Sequence, residues 1–386
     1  MYTTLAIHGY RSLRELTMRL GKVTVVLGPN GAGKSNLYKA LRLLAACGQG
    51  DVAGCLAREG GLDSVLWAGP ESLAGARRGH AVQGTVRSGP ISLKLGVAGE
   101  SLSYLVDLGL PVPGQTLFNR DPEIKREAVW VGPVMRPATL LARRKRSQVD
   151  VRDDGPWETL PDHLPTHASL LTDPTLPELR VLREELGSWR FYDALRVDAE
   201  APARQPRAGT RTWALADDGS DLAAALQTIV ELGREPLEDA VADAFDGARL
   251  SVESNDGLFD VALHQPGMLR PLRSAELSDG TLRHLMWLAA LLAPHRPPLM
   301  AVNEPENSLH PSLLGPLGRL IARASKNTQL VVVTHSLALV DHVQAALTAQ
   351  GRSEDLQVAE LVKDLGETVV SGQGLLSRPP WEWGSR

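Results

Sequence analysis

The sequence predicts an α/β protein built on a parallel sheet with covering helices, and two observations lead to this fold class. First, the apolar run at residues 22–27 (KVTVVL) is followed by a glycine-rich turn and by a helical pattern at residues 36–47. A short β-branched run without polar interruption is typical of a strand covered on both faces. Second, the C-terminal third alternates helical patterns with apolar runs, which indicates parallel strands joined by helices.

Between these two parts the pattern changes. Residues 80–110 contain short alternating runs (HAVQGTVRS, ISLKLGVAG and LSYLVDLGL) separated by Gly, Pro and Ser, which predicts an antiparallel meander. Further strands are expected within residues 123–160, and a helix is expected at residues 178–195 after a proline-rich stretch. Residues 199–210 (AEAPARQPRAGT) have the composition of a linker or a mobile surface loop.

The remaining elements follow in order. Helical patterns occupy residues 222–232 and 237–245, and residues 249–264 alternate like a hairpin with its turn at Asn-Asp-Gly. The C-terminal series is a helix at 281–292, a strand at 299–302, a helix at 313–324, a strand at 330–333 and a final helix. We therefore expect one domain over residues 1–386, with a lobe at 1–160, a helical and linker insertion at 161–210 and a second lobe at 211–386.

Composition excludes several classes of protein. The chain has 386 residues, 43% hydrophobic and 22% charged, and its net charge of −4 argues against a uniformly basic nucleic-acid coat. Its two cysteines, Cys47 and Cys55, form neither a CxxC pair nor a zinc cluster, so both are expected to be small apolar fillers. The N-terminus lacks a signal-peptide pattern, and the apolar stretch at 285–293 is about half of the ~20 residues that cross a bilayer. We expect a soluble, cytoplasmic protein without a membrane partner.

The segment at residues 28–35, GPNGAGKS, matches the P-loop pattern at every fixed position, between a predicted strand and a predicted helix. Glycines let the backbone wrap a phosphate chain with its amides inward, and the helix N-terminus adds a positive dipole end. Lys34 would reach the β- and γ-phosphates, and the Ser35 hydroxyl would coordinate Mg²⁺. The predicted ATP-binding residues here are Asn30, Gly31, Ala32, Gly33, Lys34, Ser35 and Asn36.

Two downstream strands end in residues that suit phosphate chemistry. Residues 299–306, LMAVNEPE, form an apolar strand that ends in an acidic cluster, as expected where a carboxylate polarises an attacking water. Glu304 and Glu306 could alternatively cap the next helix, which suits Glu306 better than Glu304. The run LVVVTHS ends at His335, and the carboxyl end of a central strand is where α/β sheets bind ligands. The segment LSDGT at 277–281 is, taken alone, only a helix N-cap followed by glycine.

In chain order, GPNGAGKS, LSDGT, NEPENSLHP and VVVTHS resemble the Walker A, signature, Walker B with D-loop, and H-loop motifs of ATP-binding cassette (ABC) ATPases. The chain is most similar to the soluble SMC, RecF and OLD-like branch of predicted ATPases. Its opening, GYRSLRELTMRLGKVTVVLGPNGAGKSNLYKAL, is also typical of that branch. The resemblance implies a P-loop ATPase head with a mixed central sheet, an antiparallel β subdomain and a helical insertion.

The resemblance also implies roles for particular residues. Two protomers would enclose two ATP molecules, and Ser278 and Gly280 of one subunit would contact the γ-phosphate held by Lys34 of the other. Glu304 would be the general base, and His335 would sense the γ-phosphate.

The chain departs from the family pattern in two places. The Walker B acid is replaced by Asn303, which together with Ser35 is the predicted metal-binding pair; its amide lacks the negative charge and puts magnesium affinity in doubt. Gln115 and Gln148 are both poorly placed for a Q-loop glutamine, so that role stays unassigned.

The leading hypothesis is an ATPase that forms a homodimer around ATP and drives a conformational change on nucleic acid or a partner protein. Support for DNA consists of family analogy and the basic run at 143–146, and such a run is more often a solvated face. The alternative is a regulatory or scaffolding switch with slow or no hydrolysis, which Asn303 keeps open. A transporter ATPase ranks third, because the interval between Ser35 and Ser278 exceeds what a compact transporter subunit needs.

Overall fold

The computed structural model describes residues 1–79, 89, 90, 92–115, 117–153, 155–161, 163–172, 176–193, 195–233, 235–374 and 376–384. The chain forms two units, of which the first comprises Met1–Gly21, Val26–Trp189 and Gln357–Arg386, and the second comprises Lys22–Val25 and Arg190–Leu356. The C-terminal residues therefore belong to the same unit as the N-terminus. The predicted lobes at 1–160 and 211–386, with an insertion at 161–210, stay a prediction.

Groups of strands and groups of helices follow one another along the chain. The strands are β1 (Tyr2–Tyr10), β2 (Leu13–Arg19), β3 (Val23–Leu27), β4 (Leu93–Gly99), β5 (Leu102–Gly109), β6 (Glu123–Val131), β7 (Leu140–Lys145), β8 (Gln148–Val151), β9 (Glu158–Thr159), β10 (Arg190–Tyr192), β11 (Arg207–Ala208), β12 (Arg249–Asn255), β13 (Leu258–His264), β14 (Leu272–Arg273), β15 (Leu299–Asn303), β16 (Gln329–Val333), β17 (Leu356–Asp364) and β18 (Glu367–Val370). The helices are α1 (Lys34–Gln49), α2 (Val52–Arg58), α3 (Leu62–Val65), α4 (Ala74–Arg77), α5 (Pro177–Gly187), α6 (Leu222–Gly233), α7 (Glu235–Ala244), α8 (Asp279–Leu291), α9 (Leu314–Ala324) and α10 (Leu337–Ala349).

The first unit contains an antiparallel sheet with the strand order β2-β1-β4-β5-β6-β7-β8-β9. The predicted meander is confirmed for its second and third runs, because β4 pairs with β5 in antiparallel register through Leu95 and Val106. The first predicted run, at residues 80–88, lies outside the described residues. Trp130 and Leu105 are buried on this sheet together with Ala128, and they form part of its core.

Arg144, in the basic run at 143–146, lies inside this unit. Its guanidinium is 3.3 Å from Glu127, and both side chains are fully buried. Its neighbours Arg143 and Lys145 are exposed, since successive residues of β7 point to opposite faces. The interpretation of the run as one solvated face is therefore wrong for Arg144, and its support for DNA binding is reduced to the exposed Arg143, Lys145 and Arg146.

The strand, turn and helix predicted around residues 22–47 are confirmed. Every residue of β3 is buried, and α1 begins directly after the glycine-rich turn. In the first unit β17 lies next to β3, and β18 pairs with β17 in antiparallel register. Cys47 and Cys55 are buried free thiols, as expected, and burial raises the pKa of both.

The second unit contains the predicted parallel strands. The strand order there is β10-β15-β16-β3, with Val302 opposite Val332 in the parallel pair β15 and β16. The start of β3 adds the next strand, where the Leu330 amide donates to the Lys22 carbonyl at 2.9 Å. Helices α8, α9 and α10 follow in the predicted order, so the C-terminal α/β series is confirmed.

Two segments between these parts differ from the prediction. The helix expected at 178–195 ends at Gly187, and Arg190–Tyr192 forms β10, parallel to β15. A glycine terminates the helix easily, and the following Arg-Phe-Tyr sequence favours a half-buried strand. Within the candidate linker at 199–210, Pro202–Arg204 forms a 3-10 turn in which Ala203 and Arg204 are buried.

Candidate functional site

The glycine-rich loop at residues 28–35 follows β3 and includes the first two residues of α1. Gly33 is the N-cap of α1 and supplies no side-chain hydrogen bond, and the first turn of the helix has no acidic residue. The first amides of a helix lack intrahelical acceptors, and with the helix dipole they favour an anion. The loop therefore has the composition and backbone of an anion-binding helix N-terminus.

At two positions of the loop, glycine is required both by the backbone conformation and by the packing around it. Gly28 has a φ of 151°, and a Cβ there would lie 2.5 Å from the Leu361 carbonyl oxygen. Gly33 has a φ of 108°, and a Cβ there would lie 2.2 Å from the Thr368 hydroxyl. Asn30, Gly31 and Ser35 are exposed, whereas Ala32 is buried.

Lys34 is the buried cation of this loop. Its ammonium donates to the Gly28 carbonyl at 2.6 Å and to the Pro29 carbonyl at 3.2 Å, and the residue is only 5% exposed. The Asn36 side chain donates to the Ser12 hydroxyl at 2.8 Å. A cation held by neutral carbonyls, with no carboxylate among these contacts, keeps its charge available for an anion.

In the second unit, four polar residues lie at or just after the ends of two parallel strands: Asn303, Glu304, Glu306 and His335. β15 ends at Asn303, and the next amide, of Glu304, donates to the Val333 carbonyl at the end of β16 at 2.7 Å. The Asn303 Oδ1 atom is buried and has no hydrogen-bond partner among the described residues. Buried acceptors without a donor are rare in proteins, so this oxygen suits a bound cation or a water held by one.

Glu304 has a left-handed backbone, with a φ of 47°. Few residues other than glycine adopt this conformation, and it is found more often at functional sites. Its carboxylate accepts from the Asn307 side chain at 2.7 Å and has its other oxygen 3.8 Å from His335 Nδ1. Its side chain is 30% exposed, so the carboxylate is both oriented and accessible.

Glu306 is buried and does not cap the following helix, contrary to the capping interpretation. One of its oxygens accepts from the Thr334 hydroxyl at 2.5 Å and from the His335 amide at 3.1 Å. The same oxygen is 3.3 Å from His335 Nδ1. The carboxylate therefore fixes the turn after β16 that carries His335, whose side chain is 51% exposed.

The LSDGT segment opens α8. The Ser278 hydroxyl accepts from the Thr281 amide at 3.2 Å, which makes it the N-cap, and Ser278 itself is exposed. A Cβ at Gly280 would lie 2.8 Å from the Ser308 carbonyl oxygen. Glycine at position 280 thus allows the start of α8 to lie against the segment that follows Glu306.

Arg204 was missed by sequence reasoning. Its guanidinium donates to the Leu277 carbonyl at 2.6 Å and to the Asp279 carboxylate at 2.5 Å, on either side of Ser278. It also donates to the Val197 carbonyl at 2.9 Å. The only sequence signal was its position between Pro202 and Pro206 in a segment whose composition indicated a linker.

The two glutamines considered for the Q-loop are placed elsewhere. Gln148 lies in β8 and donates to Asp150 at 3.0 Å, and Gln115 is exposed in the loop after β5. The role stays unassigned.

Taken together, these features define the α/β P-loop NTPase fold of an ATPase head, with a mixed sheet and an antiparallel β subdomain. The model of the family described as "AAA domain, putative AbiEii toxin, Type IV TA system" matches residues 23–341, and the chain belongs to this family. The expected membership of the AAA family of ATPases is thereby confirmed. Comparison with curated proteins gave no match.

Solved structures similar to this chain include heads of SMC proteins. The SMC head domain from Thermotoga maritima is 14% identical, with a TM-score of 0.46 and coverage of 97% of this chain and 99% of that chain. An SMC head bound to the C-terminal winged-helix domain of ScpA is 12% identical, with a TM-score of 0.48 and coverage of 97% and 98%. These TM-scores are low, and the family assignment rests on the family match alone.

Among the described residues, no helix combines the length and the apolar character that a bilayer crossing would require.

Proposed function

We propose that this chain binds ATP at residues 30–36 and hydrolyses it, and that two copies close around the nucleotide to drive a conformational change. The observation that carries the proposal is the glycine-rich loop, in which a buried Lys34 stands beside the uncapped N-terminus of α1. A phosphate chain is the ligand that this combination suits best.

In the first unit, the proposed roles belong to the backbone amides of the loop, to Lys34 and to Ser35. The amides of residues 30–36 and the α1 dipole bind the phosphate oxygens, and Lys34 exchanges its carbonyl contacts for the β- and γ-phosphates. The exposed Ser35 hydroxyl is the proposed Mg²⁺ ligand of this unit, and the buried Asn303 oxygen is the proposed ligand of the second unit. When bound, Mg²⁺ neutralises phosphate charge.

In the second unit, Glu304 is the proposed general base. Its carboxylate is held by Asn307 and is partly open to solvent, so it can accept a proton from a water that attacks the γ-phosphate. His335 is the proposed contact to the γ-phosphate, and its turn is fixed by Glu306. The exposed Ser278 and the glycine at 280 are proposed to contact the γ-phosphate of a second copy.

The partner on which such a dimer acts is either nucleic acid or another protein. Burial of Arg144 against Glu127 interrupts the basic run at 143–146, so this run supplies less support for nucleic acid than its sequence suggests. The family match does not decide between the two classes.

A regulatory or scaffolding switch with slow or no hydrolysis is the second candidate. It is favoured by Asn303, which offers one neutral oxygen where a carboxylate would offer a charge. In this case ATP binding would control association of the two copies, and hydrolysis would reset the switch slowly.

Steady-state ATP turnover of the purified protein tests the proposal and separates the two candidates. Glu304→Gln is expected to lower turnover by roughly a hundredfold or more, because a positioned base contributes about 10²–10⁴-fold. Glu354→Gln, which changes an exposed glutamate in the same unit, is the matched control and should behave like the unaltered protein. ATP binding without turnover would favour the switch, and failure to bind ATP would defeat both candidates.

A further inference from the structure

One residue of the hairpin of β17 and β18, Thr368, donates a side-chain hydrogen bond to the glycine-rich loop. Thr368 is fully buried on β18, and its amide donates to the Ser12 carbonyl at 2.7 Å. Its hydroxyl donates to the Ala32 carbonyl at 2.7 Å. A residue far along the chain is thus hydrogen-bonded to the middle of the loop.

The same hydroxyl is fixed from other directions. The Ser12 hydroxyl lies 2.8 Å away, and the Lys363 ammonium donates to it at 3.1 Å. The ammonium supplies a proton to the threonine oxygen and does not compete with it for the Ala32 carbonyl. The threonine proton is therefore directed to the loop.

This contact sets the direction of one peptide unit. The Ala32 carbonyl and the Gly33 amide belong to the same planar trans peptide, so they point in opposite directions. When Thr368 holds the carbonyl, the Gly33 N–H is turned away from Thr368. Gly33 is the N-cap of α1, where an amide without an intrahelical acceptor is free to bind an anion.

We propose that Thr368 is a positioning residue for phosphate binding, which holds the Ala32–Gly33 peptide so that the Gly33 amide stays directed at the phosphates. This inference rests on the proposed function. It adds to the proposed nucleotide site a residue that lies outside the P-loop motif at residues 28–35.

The hairpin has an anchor that does not depend on the threonine hydroxyl. The adjacent Glu367 is buried, and its carboxylate accepts from Arg14 at 2.5 Å and also pairs with Arg77. The main-chain bond from Thr368 to Ser12 is also independent of the side chain. Removing the hydroxyl should therefore leave β18 in place while it releases the loop, the Ser12 hydroxyl and the Lys363 ammonium from this contact.

Thr368→Val is the decisive variant, because valine keeps the shape and removes the donor. Calorimetric titration should show that its affinities for ATP and ADP both fall by about tenfold, the effect of one lost hydrogen bond on a buried acceptor. The turnover at saturating ATP should stay within about twofold of the unaltered protein, since catalytic groups are untouched. Thr368→Ser, which keeps the hydroxyl, should restore both affinities.

Thr228→Val is the matched control, because it removes a buried hydroxyl that bonds the Ala224 carbonyl in another unit. Unchanged nucleotide affinity in Thr368→Val, with normal binding by the unaltered protein, would overturn this inference and leave the proposed function standing. Equal losses of affinity and of thermal stability in the valine and serine variants would also overturn it in favour of a purely structural role. No ATP binding by the unaltered protein would defeat the inference and the proposed function together.

Discussion

Arg204 donates a hydrogen bond to the Leu277 carbonyl at 2.6 Å, one residue before Ser278. The same guanidinium is bonded to Asp279, one residue after Ser278. The N-cap of α8 is therefore held on both sides by Arg204, which lies in the short 3-10 turn Pro202–Arg204.

Arg204→Ala should lower the free energy of unfolding by about 2–4 kcal/mol, because the buried carbonyls of Leu277 and Val197 lose their donor. Urea unfolding of the two proteins measures this difference. Arg196→Ala, which breaks an exposed pair with Asp198, is the control and should leave stability almost unchanged, because solvent screens such a pair. Equal effects of the two changes would mean that Arg204 does not anchor the segment.

Lys34→Ala should abolish measurable ATP binding, because it removes the charge-assisted contact to the phosphates. The loss of the ammonium should cost little stability, since Gly28 is partly exposed and Pro29 is exposed, so water can bond the two carbonyls in its place. Titration calorimetry with ATP and a thermal melt measure the two properties. An unchanged affinity would refute the assignment of the loop.

Glu304→Gln should accumulate as a dimer with ATP and Mg²⁺, because a blocked base leaves the γ-phosphate in place between the two copies. Light scattering measures the mass with and without nucleotide. Adding Ser278→Arg should return the protein to a monomer, since a bulky cation at the exposed N-cap of α8 obstructs the second copy. Monomer alone under all conditions would count against the ATP-dependent homodimer.

Asn303→Asp should tighten Mg²⁺ binding, because it adds a negative charge at a buried oxygen that has no partner among the described residues. In a working ATPase the Mg²⁺ concentration for half-maximal rate should fall, with little change in the saturated rate. In a slow switch the saturated rate should rise substantially. A rate profile against Mg²⁺ that is identical for both proteins would mean that position 303 does not face the metal.

His284 should make stability depend on pH. It is buried in α8, neither ring nitrogen has a partner among the described residues, and burial lowers its pKa to about 4. Because the unfolded state binds the proton more tightly, the contribution of His284 to the free energy of unfolding is fully present above pH ~6.5. It decreases by about 3 kcal/mol as pH falls to ~4. Urea unfolding at several pH values should show this slope, and His284→Leu should remove it.

His264→Gln is the control for that experiment, because His264 is exposed and its ring nitrogen lies 3.0 Å from the Ser251 hydroxyl. It should leave the slope between pH ~6.5 and ~4 unchanged. A slope that persists in His284→Leu would assign the pH dependence to other groups.

Sequence reasoning succeeded where the signal is local. The glycine-rich loop lies between an unbroken apolar strand and a helix, so neighbouring residues predict β3, the loop and α1. The apolar runs that end at Asn303 and before His335 are likewise readable, because strand length and composition are properties of adjacent residues. The predicted parallel pairing of these strands is confirmed.

It failed where long-range contacts decide the role of a residue. Arg144 looks like part of a charged run, and only the carboxylate of Glu127 on the neighbouring strand explains its burial. Arg204 looks like part of a linker until Leu277 is placed beside it. Thr368 carries no motif at all, since its partner on the loop is 336 residues away.

That separation has a consequence for the order in which the protein is made. At ~5–20 residues per second, the ribosome needs on the order of tens of seconds to proceed from Ala32 to Thr368, which are 336 residues apart. During that time the nascent chain carries the glycine-rich loop without the hydroxyl that bonds its Ala32 carbonyl. We therefore expect ATP to stabilise the nearly completed chain by mass action and to give little help to its early folding intermediates.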